Sequence, residues 1–138
     1  MDKYNDYTGL LVIDMLNDFV REGRELEVPG AREIIPAIQS AREAVYQAGG
    51  KVFFVCDNHL PDDPEFEQWG AHAVEGTEGA QVIDELAPKE GDVVVPKRYI
   101  LPFYRSDLEK ELREASIKKV VISGVLTDIC VYHAAAEA

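Results

Sequence analysis

Four short, continuous apolar runs punctuate the chain: Gly9-Leu-Leu-Val-Ile-Asp14, Lys51-Val-Phe-Phe-Val-Cys56, Asp92-Val-Val-Val-Pro96 and Lys119-Val-Val-Ile-Ser123. Runs of this length without polar alternation read as strands buried on both faces. Between the first two, Ile34, Ile38, Ala41, Val45 and Ala48 share one helical face, with Pro36 in its first turn and Gly49-Gly50 at its end. A short helix is expected over Ala80 to Leu86. Another is expected over Asp107 to Ala115, opened by a capping box of Ser106 and Glu109, and a last one from about Asp128 onward. Asn58 to Gly79 is polar and rich in Pro and Gly and reads as a long irregular loop, which in a compact domain is often functional. Strands alternating with helices predict an α/β fold, a three-layer α/β/α sandwich around a parallel sheet. The last helix runs into Ala-Ala-Ala-Glu-Ala with no Gly, Pro or cap to stop it, so the chain is expected to be C-terminally truncated.

Composition narrows the functional classes. The 138 residues, 46% hydrophobic, suffice for one core and predict a single domain over 1–138. The formal charge of −12, from 14 basic against 26 acidic residues, repels phosphates and anionic headgroups. Nucleic acid and membrane are therefore not expected as partners. No stretch has the length of a membrane span, and the N-terminus lacks a basic-then-apolar signal pattern. Two cysteines, Cys56 and Cys130, are too few for a disulfide framework and suggest a reducing cytoplasm. Both follow strands, so a bridge between them stays open at this level.

Ligands of open parallel sheets bind beyond the carboxyl ends of the strands. Here those ends carry Asp14, Asp57, Lys97 and, through Gly124, Cys130. Singly, Asp14 reads equally as a turn cap, Asp57 as the start of an Asx-turn and Lys97 as a solvated lysine. Their convergence on one edge points to chemistry. A thiol in the first turn of a helix faces unpaired N–H groups that favour thiolate and can hold an oxyanion. Asp14 would be its base and Lys97 would add positive potential, while His133, one turn beyond Cys130, reads better as a packed or surface residue. Asp57, His59 and His72 form a second constellation. Asp57 and His59 fall on the same side of an extended segment, and an Asp/His/His set with open positions suits Zn²⁺, Mn²⁺ or Fe²⁺.

Several segments together resemble a known family. Leu-Val-Ile-Asp-Met-Leu-Asn-Asp-Phe (Leu11 to Phe19), Asp57-Asn-His59, Trp69-Gly-Ala-His72, Gly76-Thr-Glu-Gly-Ala80, Val-Pro-Lys97-Arg and Gly124-Val-Leu-Thr-Asp-Ile-Cys130-Val are similar to the isochorismatase-like cysteine hydrolases, and within them to the nicotinamidases. The resemblance implies a catalytic triad of Asp14, Lys97 and Cys130, a cis peptide between Val125 and Leu126, and an oxyanion hole from the backbone N–H groups of Leu126 and Cys130. It further implies a divalent metal, zinc foremost, on Asp57, His59 and His72, and a ring pocket walled by Phe19, Trp69 and Tyr104. The implied activity is hydrolysis of a small amide, nicotinamide to nicotinate and ammonia, by a cytoplasmic homo-oligomer serving NAD salvage. Nicotinamidases often flank the second metal histidine with Pro and Cys, whereas Gly70, Ala71 and Ala73 surround His72, as in relatives acting on other amides. A carbamoyl or ureido substrate is the alternative, with Arg98 or Arg105 as partners for a charged group. A non-catalytic binding relative is another.

Overall fold

The apolar runs form strands β1 (Thr8–Ile13), β2 (Lys51–Asp57), β3 (Val93–Lys97) and β4 (Lys119–Gly124). The structure, a computed structural model, describes residues 4–24, 26–126 and 135. The strands are parallel and ordered β3-β2-β1-β4. The β1–β2 and β1–β4 registers set Leu11 opposite both Phe53 and Ile122, and the β2–β3 register sets Asp57 opposite Lys97. That last pairing brings a carboxylate and an ammonium together at the end of the sheet.

Helices cover both faces because the central strands bury both. All of β1 is buried, and β2 is buried after Lys51. Alternate residues Leu10, Val12, Phe54 and Cys56 pack in the core that contains Ile38 and Val45 of α2, the helix Ile35–Gln47 that follows the one-turn helix α1 (Asn17–Val20). Leu11, Ile13, Phe53, Val55 and Val95 face the other way and pack with Leu108. Each such side chain contributes about 1.5–3 kcal/mol when fully withdrawn from water. The α/β/α layering is the expected one, and this family of contacts keeps the strand ends in fixed relative positions.

Three local expectations are corrected. Ala80 to Leu86 is not one helix but part of two 3-10 turns, Glu78–Ala80 and Asp84–Leu86. Between them Val82 bridges Leu16, and backbone bonds from Asn17 N–H to the Gln81 carbonyl and from Ile83 N–H to the Met15 carbonyl (both 3.0 Å) hold the segment extended. Long-range bonding to the segment after β1 thus outweighs local helix propensity. The capping box at Ser106 does not form: helix Leu108–Glu114 has Asp107 at its N-cap with no side-chain cap, and Glu109 pairs with Arg113 at 2.9 Å instead. Ser106 Oγ accepts from Leu108 N–H and donates to the Pro102 carbonyl, bracing the loop before the helix. The long loop is also less irregular than its composition suggests. It holds α3 (Phe66–Trp69), which makes the helix at Leu108–Glu114 α4, and a parallel bridge between His59 and Val74.

The Val125–Leu126 peptide is cis, and Cys56 is a free, buried thiol. The expected last helix, with Cys130 and His133, lies outside the described residues.

Gly124 closes β4 where no other residue fits. Its φ is 118°, and a Cβ there would lie 2.0 Å from the Ile13 carbonyl oxygen. Gly124→Ala is expected to destabilise the protein by about 3 kcal/mol or more, read from the urea midpoint at constant m-value. A loss below about 1 kcal/mol would mean that β4 does not approach β1 so closely.

Candidate active and metal site

The carboxyl ends of β1, β2 and β3 meet in a buried charge cluster. Asp14 leaves β1 with φ 54°, its N–H bonded to the Val55 carbonyl at 2.9 Å. Its Oδ1 accepts the Asp57 N–H at 2.8 Å. Lys97 Nζ lies 3.2 Å from Asp14 Oδ2 and 2.5 Å from Asp57 Oδ1, and donates to the Tyr99 carbonyl at 3.3 Å. Asp14 and Lys97 are each 1% exposed. Burial alone would push the Asp57 carboxyl up, but the ammonium of Lys97 and the adjacent His59 imidazole hold it below the ordinary carboxylate value. Two of the residues expected to act together, Asp14 and Lys97, are therefore in direct ionic contact. Cys130, expected as the third, lies outside the described residues. Leu126, an expected oxyanion donor, lines the adjoining pocket.

Asp57 faces two ways, and its other oxygen belongs to a second cluster. The candidate ligand atoms of Asp57, His59 and His72, all buried, lie within 4.8 Å of one another. His59 Nε2 is 3.6 Å from Asp57 Oδ2. Glu65 Oε2, which the sequence reading did not single out, is 3.0 Å from His59 Nε2 and 3.3 Å from His72 Nε2. A tetrahedral ion bound at about 2.0–2.2 Å sets its ligands roughly 3.3–3.6 Å apart; the His59–Asp57 and His72–Glu65 gaps have that spacing, and His59 and Glu65 stand closer. Among the described residues nothing gives the buried His59 Nε2 a well-directed hydrogen bond, despite its closeness to Glu65, as for a nitrogen reserved for a metal. On the far sides of the rings, His59 Nδ1 donates to Asp63 Oδ2 at 2.9 Å and His72 Nδ1 to the Gly70 carbonyl at 2.7 Å, which turns both Nε2 atoms inward.

Charge is concentrated here. Burial disfavours protonation of both imidazoles, but the surrounding carboxylates outweigh it. His59 rises to about 10 through Asp57, Glu65 and Asp63, and His72 rises through Glu65 and the Gly70 carbonyl. The Glu65 carboxyl is pulled down to about 2 by the close imidazoles of His59 and then His72. An excess of acidic groups around two imidazoles has the composition of a divalent-cation site. No signal short of the fold identifies Glu65, since acidic residues crowd the loop from Asp62 to Glu67.

A pocket of about 290 Å³ opens over this cluster. Its wall is mostly apolar (Phe19, Leu26, Val28, Pro29, Trp69, Ile100 and Leu126), with Asp57, Glu65, His72 and Glu27 as its polar members. Phe19 and Trp69, the expected ring walls, line this pocket, with Phe19 tilted against His72 at 5.7 Å between centroids. Tyr104 is not in the wall. It is 45% exposed, packs edge-on against Tyr99 and lies under the Arg105 guanidinium. Arg98 and Arg105 do not line the pocket either, and Arg98 lies 3.8 Å from Glu75. The loop after β3 carries all three outward instead.

The segment after β1 fastens the loop that carries His72. Asp18 Oδ2 accepts the Ala73 N–H at 2.9 Å, holding a residue with φ 45° next to His72. Asn17 donates to the Glu78 carbonyl at 2.8 Å, and Arg24 lies 2.9 Å from Glu78 and 3.5 Å from Asp18. A Cβ on Gly79 would fall 2.2 Å from the Asp18 carboxylate, so the close approach needs glycine. Asn17 and Asp18 belong to the Leu11–Phe19 motif, and anchoring this loop is their work.

Against known proteins, residues 8–138 match the isochorismatase domain family. The chain is 32% identical to a probable inactive nicotinamidase of Arabidopsis thaliana over 134 residues, 90% of this chain and 68% of that protein. It is 39% identical to the N-carbamoylsarcosine amidase of Thermoplasma acidophilum, with a TM-score of 0.88 over 95% of this chain and 75% of that one. It is 31% identical to the zinc complex of Pyrococcus horikoshii pyrazinamidase, with a TM-score of 0.87 over 96% and 78%. Curated relatives are matched over 60–68% of their own length.

Replacing the buried ammonium tests the cluster. Lys97→Met leaves Asp14 and Asp57 facing each other and is expected to lower the unfolding free energy by about 3–5 kcal/mol at neutral pH. Asp57 sits below its ordinary value in the folded chain. Its contribution is therefore present above about pH 4 and is lost as pH falls through the folded value. The gap between wild type and variant should accordingly narrow in acid. Urea unfolding followed from about pH 7 down through the acid range below about pH 4 measures it, and a gap that stays constant until the wild type itself unfolds would assign the loss to packing.

Proposed function

Because the chain belongs to the isochorismatase domain family, we propose that it is a cysteine-dependent amidohydrolase that converts nicotinamide to nicotinate and ammonia. The carrying observation is the continuous ionic chain from Asp14 through Lys97 to Asp57, which joins a candidate base to a metal-type cluster beneath an apolar pocket. A neutral aromatic amide suits that pocket. Its described wall offers apolar surface and carboxylates and no Lys or Arg to pair with a substrate carboxylate.

In the proposed reaction Asp14 takes the proton of the Cys130 thiol, and the thiolate attacks the carboxamide carbon. The N–H groups of Leu126 and Cys130 hold the resulting oxyanion, the kind of preorganised stabilisation that usually dominates acyl transfer. Asp14 returns the proton to the leaving nitrogen, ammonia departs and a thioester remains. Water then adds to the thioester with Asp14 again as base, releasing nicotinate and restoring the thiol. Lys97, 3.2 Å from Asp14, keeps that carboxyl aimed through both half-reactions and balances its charge before each proton is taken up. Asp57, His59 and His72, with Glu65 beside them, would hold a divalent ion, zinc foremost and Mn²⁺ or Fe²⁺ as alternatives, that would supply a Lewis acid with a position open to the ring nitrogen. Phe19 and Trp69 flank the ring. The setting that goes with this reading is a cytoplasmic homo-oligomer serving NAD salvage.

A second reading, hydrolysis of a carbamoyl amide, draws support from the 39% identity to N-carbamoylsarcosine amidase. The resemblance to a probable inactive nicotinamidase supports a non-catalytic relative.

Ammonia release by the metal-loaded protein from nicotinamide and from N-carbamoylsarcosine separates these readings. Release from nicotinamide that falls at least about a thousandfold in Cys130→Ala supports the thiol mechanism. Release from the carbamoyl compound alone would transfer the assignment to the second reading, and no release together with an unreactive Cys130 would favour a binding protein. Phe19→Ala should raise KM for nicotinamide about tenfold, the order of one lost aromatic contact, and change kcat less.

A further inference from the structure

Asp63 has no place in the reaction above, yet it touches two members of the metal-type cluster at once. Its Oδ2 accepts from His59 Nδ1 at 2.9 Å and its Oδ1 accepts the Glu65 N–H at 2.8 Å. The loop holds Asp63 in turn, through its N–H to the Leu60 carbonyl at 3.1 Å and its carbonyl to Phe66 N–H at 3.0 Å. The carboxylate is only 16% exposed. The Nδ1 of His72 is turned instead by the Gly70 carbonyl. We infer that Asp63 is the positioning residue of the metal cluster, fixing the His59 ring with Nε2 inward while it seats Glu65 beside both imidazoles. The inference rests on the reading that this cluster binds a divalent cation.

The chemistry demands an acceptor on both sides. A ligating imidazole must leave Nε2 bare, so its one proton sits on Nδ1 and needs an acceptor there. The Glu65 amide also needs an acceptor. A carboxylate serves both at once, whereas a carboxamide accepts with one end only. Asp63→Asn must therefore either present an N–H to His59, which drives the ring proton to Nε2, or release the Glu65 amide. Size is unchanged and the site is at the loop surface, so the fold should survive.

Titration of metal-free protein with Zn²⁺ against a chromophoric chelator, and with Co²⁺ followed through its d–d bands, tests the inference. Wild type should bind both ions with an intense, low-symmetry cobalt spectrum. Asp63→Asn should bind zinc about 10–100-fold more weakly and shift or weaken the cobalt bands, while the metal-free protein keeps a folded, cooperative thermal transition. Asp62→Asn, at the exposed neighbouring position, should behave as wild type. Zinc affinity in Asp63→Asn within about threefold of wild type, with an unchanged cobalt spectrum, would overturn the role of Asp63 and leave the metal reading standing. Wild type that binds neither Zn²⁺, Co²⁺ nor Mn²⁺ would overturn the metal reading and the inference with it.

Discussion

The buried ammonium of Lys97 is the constraint on which the rest of the site depends. Two carboxylates, Asp14 and Asp57, stand at the ends of adjacent strands, tied by a hydrogen bond from one backbone to the other side chain. In a dry interior their mutual repulsion would raise one of them out of its charged form. Lys97, delivered opposite Asp57 by the β2–β3 register, lies within 3.2 Å of both and removes that conflict. Buried ion pairs rarely add net stability over apolar packing, so retaining one here is better understood as preparation for chemistry than as support for the fold.

Everything around the triplet is arranged so that Asp57 can serve two neighbourhoods. One oxygen faces Lys97 and the other faces His59. The second neighbourhood is built on a loop, ordinarily the least ordered part of a domain. Here the loop is tied down at several points: Asp18 on Ala73, Asn17 on Glu78, the His59–Val74 bridge and the Leu16–Val82 bridge. Edge-on aromatic contacts of Phe66 with His59 and His72 finish the job by limiting ring rotation. The ordering entropy of the loop is thereby met by the fold, before any ligand arrives.

The pocket above this base divides the labour by chemistry. Apolar walls favour an uncharged ring, and the polar groups, Asp57, Glu65 and His72 among them, belong to the cluster beneath.

Much of this was legible in the chain itself. Strand positions followed from uninterrupted apolar runs, because a strand buried on both faces has no polar alternation to hide. Asp14, Asp57 and Lys97 stood out because each ends such a run, and parallel strands necessarily deliver their carboxyl ends to one edge. Residues whose roles come from contacts distant in sequence were invisible. Val82 looked helical until Leu16 bonded across to its neighbourhood, and Tyr104 looked available to the pocket until its loop turned outward. Glu65 and Asp63 were two acids among many between residues 62 and 67. Only the folded loop distinguishes the one whose oxygen reaches both imidazoles from the one that braces a ring from behind, because that choice depends on angstrom-scale direction and not on residue type.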